Sequence, residues 1–189
     1  MTFTSGRQWS FVPNEQYVRD IFTAEERVKI IATHETRDVM PVSVKTDDYS
    51  YRDTDVFWLR HGNPDYEWIY QRLAESTLKL NGETFQFELE ACTDLQLARY
   101  RPGQHYEWHS DLGAKGYSRR KLSIVVLLND KGEFKGSNLQ FGGDEFTRNA
   151  QLNTGDAILF PSWMRHRVTP VTEGVRWTLV GWWLGPPFK

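Results

Sequence analysis

Cysteine is almost absent from this chain of 189 residues, and its absence limits where the protein can fold. The single cysteine, Cys92, excludes an intrachain disulfide, so the frameworks of small disulfide-rich secreted proteins are ruled out. Long apolar runs are also missing, which excludes a membrane-spanning helix. The segment Met1–Gly6 lacks the basic and then apolar pattern of a signal peptide. We therefore expect a cytoplasmic protein with no membrane partner.

An excess of charge of either sign is missing as well. Lysine and arginine total 23 against 25 acidic residues, for a formal net charge of -2, which argues against a general binder of nucleic acid or anionic membranes. Histidine is scarce, with five residues, whereas aromatic residues make up 14% of the chain. The aromatic content predicts an aromatic-lined core or cleft, and the few histidines make candidate ligands easy to find. The length predicts a single domain over residues 1–189.

Two helices are predicted in the first half of the chain. Thr23–Glu26 reads as a capping box that opens a helix running through Ile31. Asn63 is expected to cap the second helix, with Pro64 at its first position and Asn81–Gly82 as its end. Each helix has one apolar stripe, so both are interpreted as supports with one buried face.

From Phe85 onward the apolar period changes from helical spacing to two. Eight short strands are expected after residue 94, a pattern typical of a sandwich or jelly-roll barrel. The predicted fold is mainly β with α: a double-stranded β-helix (jelly roll, cupin-like) whose N-terminal helices pack on one sheet. Residues 1–90 would form the support region with flanking strands, and residues 91–185 the jelly-roll core. The predicted strands are 85–89, 95–100, 106–109, 122–128, 138–141, 145–147, 157–160, 165–168 and 175–183.

His109 and Asp111 are the first candidates for chemistry. At positions i and i+2 of an extended strand their side chains project to the same side and can share a metal ion. The pair alone is a weak signal, since a polar pair at a strand end is common. His166, 57 residues later, can complete a set of two imidazoles and one carboxylate, which is typical of non-haem Fe(II) oxygenases. The competing interpretation of His166 is a structural histidine at the rim of the core.

Arg176 stands inside an otherwise apolar strand, where an unpaired cation would be costly. Its planar guanidinium fits a carboxylate in bidentate fashion, so an anionic ligand is expected there. Alternation places Thr178, Val180 and Trp182 on the same face as Arg176. Tyr100 could complete the carboxylate site from the opposite side, or it could be a core tyrosine.

Four segments together resemble the prolyl 4-hydroxylase type of Fe(II)/2-oxoglutarate-dependent dioxygenase, in its bacterial and phage prolyl-hydroxylase-like branch. The order and spacing of these segments are specific, and they lie within residues 95–183, about half of the chain. Residues 52–59 and 68–70 resemble the support region of that branch less tightly. The four segments are YRPGQHYEWHSD at 100–111, GDAILFP at 155–161, HRVTPV at 166–171 and GVRW at 174–177.

This resemblance implies a site and a reaction. His109, Asp111 and His166 would be the iron ligands, Arg176 would pair with the distal carboxylate of 2-oxoglutarate, and Tyr100 would assist it. Thr178 is the third cosubstrate-binding candidate. The implied cofactors are Fe(II), 2-oxoglutarate and O2, with L-ascorbate as a candidate reductant. The implied activity is an oxidoreductase that hydroxylates a C–H bond, foremost in a peptidyl proline, while 2-oxoglutarate is decarboxylated to succinate.

Three aromatic residues are candidates for substrate contact: Tyr106, Trp163 and Trp182. Each could instead only wall the pocket. Other functions remain open, namely hydroxylation of a free amino acid or other small molecule, oxidative demethylation of nucleic acid, and a non-catalytic jelly-roll binding module. The demethylase pattern typically has a second arginine six residues after the one that corresponds to Arg176. This chain has Trp182 there, which argues against a nucleic-acid substrate.

Overall fold

The computed structural model describes residues 14–36, 40–41, 50–143 and 145–187. Two antiparallel sheets pack face to face, and two helices cover the outer face of the larger sheet. The helices are α1 (Ala24–Ala32) and α2 (Glu67–Glu83). The strands are β1 (Gln16–Val18), β2 (Met40–Pro41), β3 (Arg52–Asp53), β4 (Asp55–Leu59), β5 (Ala91–Cys92), β6 (Leu95–Tyr100), β7 (His105–His109), β8 (Arg120–Leu127), β9 (Phe134–Gly136), β10 (Leu139–Gly142), β11 (Thr147–Asn149), β12 (Ala157–Pro161), β13 (His166–Val168), β14 (Val171–Gly174) and β15 (Arg176–Leu184).

The larger sheet has the strand order β1-β12-β8-β15-β6-β4-β2, and β5 pairs with the end of β15. The smaller sheet has the order β11-β10-β13-β7-β3, while β9 and β14 form a separate two-stranded ribbon. All of these strand pairs are antiparallel. The topology makes β7 and β13 neighbours although a long stretch of chain separates them, so the strands that carry the candidate ligands lie side by side.

Strand β15, at the centre of the larger sheet, serves two cores with alternate residues. Trp177, Leu179 and Trp183 pack outward against the helices, in a cluster with Ile69 and Leu73 of α2. The alternate side chains point inward and line a cavity between the two sheets. They are Arg176, Thr178, Val180 and Trp182. Burying each large apolar side chain contributes about 1.5–3 kcal/mol, so the outer core holds the helices firmly against the sheet.

The expected fold class is confirmed: the protein is mainly β, with a jelly-roll arrangement of two sheets and helices on one of them. The sheets face each other without closing into a continuous barrel. Strands from both sides of residue 90 pair in the larger sheet, since β4 lies beside β6. The single-domain assignment over residues 1–189 stays a prediction.

Helix α1 begins as predicted, and α2 begins later. The Thr23 hydroxyl accepts from the Glu26 amide, and the Glu26 carboxylate accepts from the Thr23 amide, which is the predicted capping box. Asn63 does not cap α2: its side chain accepts from the Asp65 amide in a turn that precedes the helix. The predicted stop at Asn81–Gly82 lies inside the last turn of α2.

The strand prediction at residues 85–89 is wrong, because this segment has no neighbouring strand with which to pair. Gln86 has a positive φ of 56°, which breaks an extended conformation. The segment after Pro170 lies outside the predicted strands, yet it contains β14, whose partner is β9. The strand expected at 145–147 lies two residues later, as β11. The other predicted strands match β6, β7, β8, β10, β12, β13 and β15 within about two residues.

Neither helix in the described ranges has both the length and the apolar composition that crossing a membrane requires.

Candidate active site

Three side chains meet where β7 ends and β13 begins. His109 and His166 are directly opposite each other in the ladder between the two strands, and Asp111 follows two residues after His109. His109 Nε2 lies 3.8 Å from Asp111 Oδ1, and His166 Nε2 lies 3.6 Å from Asp111 Oδ2. One ligand atom from each residue lies within 4.8 Å of the other two. These separations suit three donors that converge on one ion.

His109, Asp111 and His166 are called the triad below, and hydrogen bonds to residues outside it fix the direction of each ligand atom. His109 Nδ1 donates to the carbonyl of Glu107 at 2.7 Å, and His166 Nδ1 donates to the carbonyl of Met164 at 2.8 Å. Because a carbonyl can only accept, each imidazole has its proton on Nδ1 and directs the free lone pair of Nε2 toward the centre. These two hydrogen bonds to the backbone could not be predicted from the sequence.

Asp111 is fixed by a third hydrogen bond. Ser123 Oγ donates to Asp111 Oδ2 at 2.6 Å, and Ser162 Oγ lies 3.0 Å from Ser123 Oγ. The two hydroxyls come from the larger sheet, one from β8 and one from the residue after β12. They leave Asp111 Oδ1 without a hydroxyl donor, and this oxygen faces His109. Sequence reasoning missed both serines, because their relation to Asp111 exists only after the two sheets pack.

Burial determines the charge of the triad. It lowers the pKa of His109, and the neighbouring His166 lowers it further. Burial alone would raise the pKa of Asp111, but the two histidines, His166 first, and the Ser123 hydroxyl bring it below its usual value. At neutral pH the site therefore presents a neutral His109 imidazole and an ionised carboxylate. Two imidazoles and one carboxylate on one face of an ion are the donor set that non-haem Fe(II) uses.

A β-bulge in β7 brings a tyrosine to the same face as the ligands. His109 pairs with His166 and Tyr106 pairs with Val168, so three steps along β7 oppose two along β13. The extra residue turns both Tyr106 and His109 inward, and their rings stack with centroids 3.5 Å apart at 15°. Burial raises the pKa of Tyr106, so its phenol stays protonated. Simple alternation along the strand would have placed these two side chains on opposite faces.

Behind the triad lies a narrow inner cavity that ends at Arg176. The guanidinium belongs to a side chain that is 3% exposed, and its central carbon lies 5.6 Å from the ring centroid of Tyr100, the residue paired with it across β6 and β15. No carboxylate of the described residues forms an ion pair with it. Burial lowers the pKa of Arg176 to about 10, so the group is still a cation at neutral pH. Thr178 and Val180 line the same cavity.

In front of the triad the site opens into a mouth cavity of about 340 Å³. Tyr106 and Trp182 line both the inner cavity and this mouth, as do His109 and Asp111. The Trp182 indole Nε1 is buried with no hydrogen bond of normal geometry to the described residues, yet its proximity to Asp111 helps to lower the pKa of that carboxylate. The wall is aromatic, as the composition predicted. The aromatic residues of the mouth are Tyr51, Trp58, Tyr106, Tyr117 and Trp182.

Two arginines of the mouth were not among the candidates from the sequence. Arg52 lies in β3 beside Tyr106, and Arg120 begins β8. Arg120 stands in the segment SRRK at 118–121, which reads from the sequence as a solvated basic cluster. A signal was nonetheless present, because Arg120 lies two residues before the mainly apolar segment Leu122–Leu128.

Trp163 lies apart from the other substrate candidates. Its side chain is 40% exposed and contacts Phe87 edge-on at 5.5 Å, and its carbonyl accepts from Ser110 Oγ. It lines neither the inner cavity nor the mouth. The substrate roles of Tyr106, Trp163 and Trp182 stay predictions.

Comparison with known proteins identifies relatives of the part of the chain that contains the triad and Arg176. Residues 95–184 match the family model described as 2OG-Fe(II) oxygenase superfamily. A PKHD-type hydroxylase of Synechococcus sp. strain CC9605 is 38% identical over 90 residues, which are 47% of this chain and 40% of that protein. The chain thus spans about two fifths of the length of this curated relative.

Solved structures are similar over most of the chain. A prolyl-4-hydroxylase of Pseudomonas putida has a TM-score of 0.71 at 20% identity, covering 92% of this chain and 93% of that one. A prolyl hydroxylase of Trichoplax adhaerens, solved with a peptide fragment of the hypoxia inducible factor oxygen degradation domain, has a TM-score of 0.74 at 13% identity. The matched region covers 90% of this chain and 83% of the Trichoplax adhaerens chain. At these identities the likeness shows a shared fold.

Proposed function

Because residues 95–184 belong to the 2OG-Fe(II) oxygenase superfamily, we propose that this protein is an Fe(II)- and 2-oxoglutarate-dependent dioxygenase. Its leading substrate is a prolyl residue of a peptide or protein. The observation that carries the proposal is the meeting of His109, Asp111 and His166 at one end of a cavity whose other end holds the unpaired Arg176. A metal-binding donor set and a buried cation in one cavity are what an anionic, metal-chelating cosubstrate requires.

Three residues would hold the iron. The Nε2 atoms of His109 and His166 and a carboxylate oxygen of Asp111 already point to a common centre, so the fixed tautomers leave little reorganisation on binding. Three ligands on one face of an octahedral ion leave three positions for 2-oxoglutarate and O2. When bound, iron, 2-oxoglutarate and O2 supply the oxidation: one oxygen atom enters the substrate C–H bond and the other enters succinate, with release of CO2.

Arg176 would bind the distal carboxylate of 2-oxoglutarate. A buried guanidinium without a counter-ion gains most from an anion that can pair with it in bidentate fashion. Tyr100 lies against the guanidinium, and Thr178 stands next to it on the same face, so both can add hydrogen bonds to the carboxylate. The surrounding aromatic side chains exclude water from the centre, which protects the reaction from side paths.

The prolyl substrate is supported by likeness to proteins of that name and by the aromatic mouth. Apolar and aromatic walls suit a pyrrolidine ring. L-Ascorbate as a reductant and a cytoplasmic location belong to the same proposal. The acidic net charge of -2 speaks against a nucleic-acid substrate, and the converging ligand atoms speak against a non-catalytic module.

The test is turnover with a peptide library. The protein is incubated with Fe(II), 2-oxoglutarate, ascorbate and proline-containing peptides, and succinate and products 16 Da heavier are measured by mass spectrometry. We expect both to form, and we expect His109→Ala and Asp111→Ala to abolish them. Arg60→Gln, a change at an exposed residue outside both cavities, is the matched control. Absence of iron-dependent succinate would contradict the dioxygenase; succinate without any heavier peptide would contradict only the prolyl substrate.

A second candidate is hydroxylation of a free amino acid or a similar small molecule. The specific observation that favours it is the pair of cations, Arg52 and Arg120, in the mouth. Profiling the same reaction with free amino acids separates the two candidates.

A further inference from the structure

Arg52 lines the mouth as a buried and incompletely paired cation. Its side chain is 6% exposed, and Nη2 donates to Gln96 Oε1 at 3.1 Å. The guanidinium lies 4.5 Å from the ring centroid of Tyr106. Its Nε is buried and has no hydrogen-bond partner among the described residues. Leaving a buried donor unpaired is unfavourable, so this atom is expected to meet a ligand.

Arg120 reaches the same mouth from the opposite sheet. Its guanidinium carbon lies 3.8 Å from the ring centroid of Trp182 and 4.5 Å from that of Tyr117. Nη1 donates to the backbone carbonyl of Asp111 at 3.4 Å, so the aromatic rings and this carbonyl hold the cation in place. Arg52 and Arg120 both line this mouth, so two cations share one cavity.

Within the described residues Arg52 and Arg120 have no acidic partner, unlike six other arginines. Elsewhere in the described residues, six arginines form ion pairs with carboxylates, and Asp55 alone accepts from two of them. Neither Arg52 nor Arg120 forms such a pair. Asp111 lines the mouth with both arginines, but its carboxylate already accepts from Ser123 and faces the two histidines. The six paired arginines are Arg19, Arg72, Arg99, Arg101, Arg119 and Arg148.

Two cations in one partly enclosed cavity repel each other and lose hydration, and an anion between them would offset both costs. The planar forks of two arginines fit a carboxylate. Both carboxylates of the cosubstrate have other partners: the distal one is assigned to Arg176 at the far end of the inner cavity, and the one beside the 2-oxo group is assigned to the iron. The anion must therefore belong to the molecule that enters through the mouth.

We infer that Arg52 and Arg120 form a carboxylate-binding subsite, so that the substrate carries a carboxylate close to the C–H bond that reacts. The inference rests on the proposed function. The carboxylate has two possible sources: the α-carboxylate of a free amino acid, or an acidic side chain or C-terminus next to the target residue of a peptide. In both cases the aromatic wall receives the part that is oxidised, and the arginine pair fixes its orientation.

Binding and turnover of acid and amide pairs test the inference on the unaltered protein. The panel contains the twenty amino acids with their amides, and proline peptides that differ by Asp against Asn or by a free against an amidated C-terminus. Binding is measured by calorimetry with the Mn(II)- and 2-oxoglutarate-loaded protein under nitrogen, and turnover by the 16 Da shift. We expect at least one acid to bind roughly 10- to 100-fold more tightly than its amide. Which pair responds identifies the source.

Variants then assign the preference to the arginines. Arg52→Gln and Arg120→Gln should each reduce the difference between acid and amide by about tenfold or more, whereas Arg60→Gln should leave it unchanged. In Arg120→Gln the KM for 2-oxoglutarate should not change, because Arg120 lines the mouth and not the inner cavity that contains Arg176.

Two results would overturn the inference: no acid in the panel bound more tightly than its amide, or a preference that survives both glutamine variants. Failure of the proposed function is recognised separately, as an absence of iron-dependent succinate in the unaltered protein.

Discussion

Arg176 carries its charge in a place where no described carboxylate balances it, and this makes it the residue whose replacement is most informative. We expect Arg176→Leu to weaken 2-oxoglutarate binding at least about 30-fold, since removing one partner of a buried charge pair costs 2 kcal/mol or more. In the absence of ligand, the free energy of unfolding of this variant should exceed that of the unaltered protein by about 1–3 kcal/mol. The reason is that the substitution removes an uncompensated buried cation. Calorimetry with Mn(II) measures the first effect, and urea unfolding the second.

The opposite signs distinguish a ligand-binding arginine from a structural one. If Arg176 stabilised the fold, Arg176→Leu would lower both the affinity for 2-oxoglutarate and the free energy of unfolding. Arg176→Lys is the matched variant, because it keeps the charge but loses the planar fork. It should bind 2-oxoglutarate with an affinity between those of the unaltered protein and the leucine variant.

Cys92 allows a prediction about pH. Burial raises the pKa of its thiol to about 12, from a usual value near 9. At pH 8 the folded protein should react with a disulfide reagent on the order of 10²–10³ times more slowly than the urea-unfolded chain, because the thiolate is the reactive form. Below pH 9 the thiol is protonated in both states. Above pH 9 the unfolded chain ionises first, so the free energy of unfolding should fall as the pH rises from 9 toward 12.

The measurement is the rate of thiol labelling against pH, with the unfolding free energy read in parallel. Cys92→Ala is the control, since it should reduce the alkaline loss of stability without changing stability at pH 7 by more than a cavity effect. Rapid labelling of the folded protein at pH 8 would contradict the burial of this thiol.

How far single residues could be predicted depends on how local their reasons are. His109, Asp111 and Arg176 follow from strand spacing and from the cost of a charge in an apolar strand. Ser123 and Arg52 could not be found in this way. Ser123 acquires its role only when β8 packs beside the end of β7, and Arg52 only when β3 pairs with β7.

At the scale of elements, alternation alone does not decide whether a segment becomes a strand. Residues 85–89 alternate in the sequence, yet they have no neighbouring strand and follow a helix end that ties them down. Asn81 Nδ2 donates to the carbonyl of Phe87 at 2.9 Å, and Asn81 Oδ1 accepts from the Phe87 amide at 3.0 Å. The β-bulge that turns Tyr106 inward is a second case, because its cause lies in the register against β13. The capping box of α1, by contrast, was predictable since all its contacts are local.

Removing the Asn81 amide should therefore loosen this junction. We expect Asn81→Ala to lower the free energy of unfolding by about 1–3 kcal/mol, because two backbone groups of Phe87 lose their partner in a buried place. Asn63→Ala is the matched control: it removes one exposed hydrogen bond, and we expect a loss below about 1 kcal/mol. Urea denaturation of both variants measures these losses in the free energy of unfolding. The urea midpoints are compared with the dependence of the free energy on urea concentration held equal for all proteins. Equal losses would mean that the Asn81 bridge adds nothing to the folded state.

At the scale of the whole molecule, the two halves predicted from the sequence share one core. The outer cluster joins Phe57 and Leu73 from the first half to Leu97 and Leu179 from the second. The helices could be predicted from their apolar stripes, and the jelly roll from the spacing of its strands. What could not be predicted is that β1 and β4 extend the larger sheet on both sides, because short strands far apart in sequence show their pairing only in the folded sheet.

This shared core leads to a prediction about fragments. The fragment 91–189 contains every residue of the candidate metal site, but it lacks α1, α2 and β4, so the outer face of its sheet would expose the apolar side chains around Leu97 and Leu179. Burying a large apolar side chain contributes about 1.5–3 kcal/mol, so uncovering several of them removes a large part of the roughly 5–15 kcal/mol that holds a domain folded. We expect scanning calorimetry to give one cooperative transition for residues 1–189 and none for the fragment. A cooperative transition in the fragment would instead make residues 91–185 an independent domain, with the helices as an accessory to it.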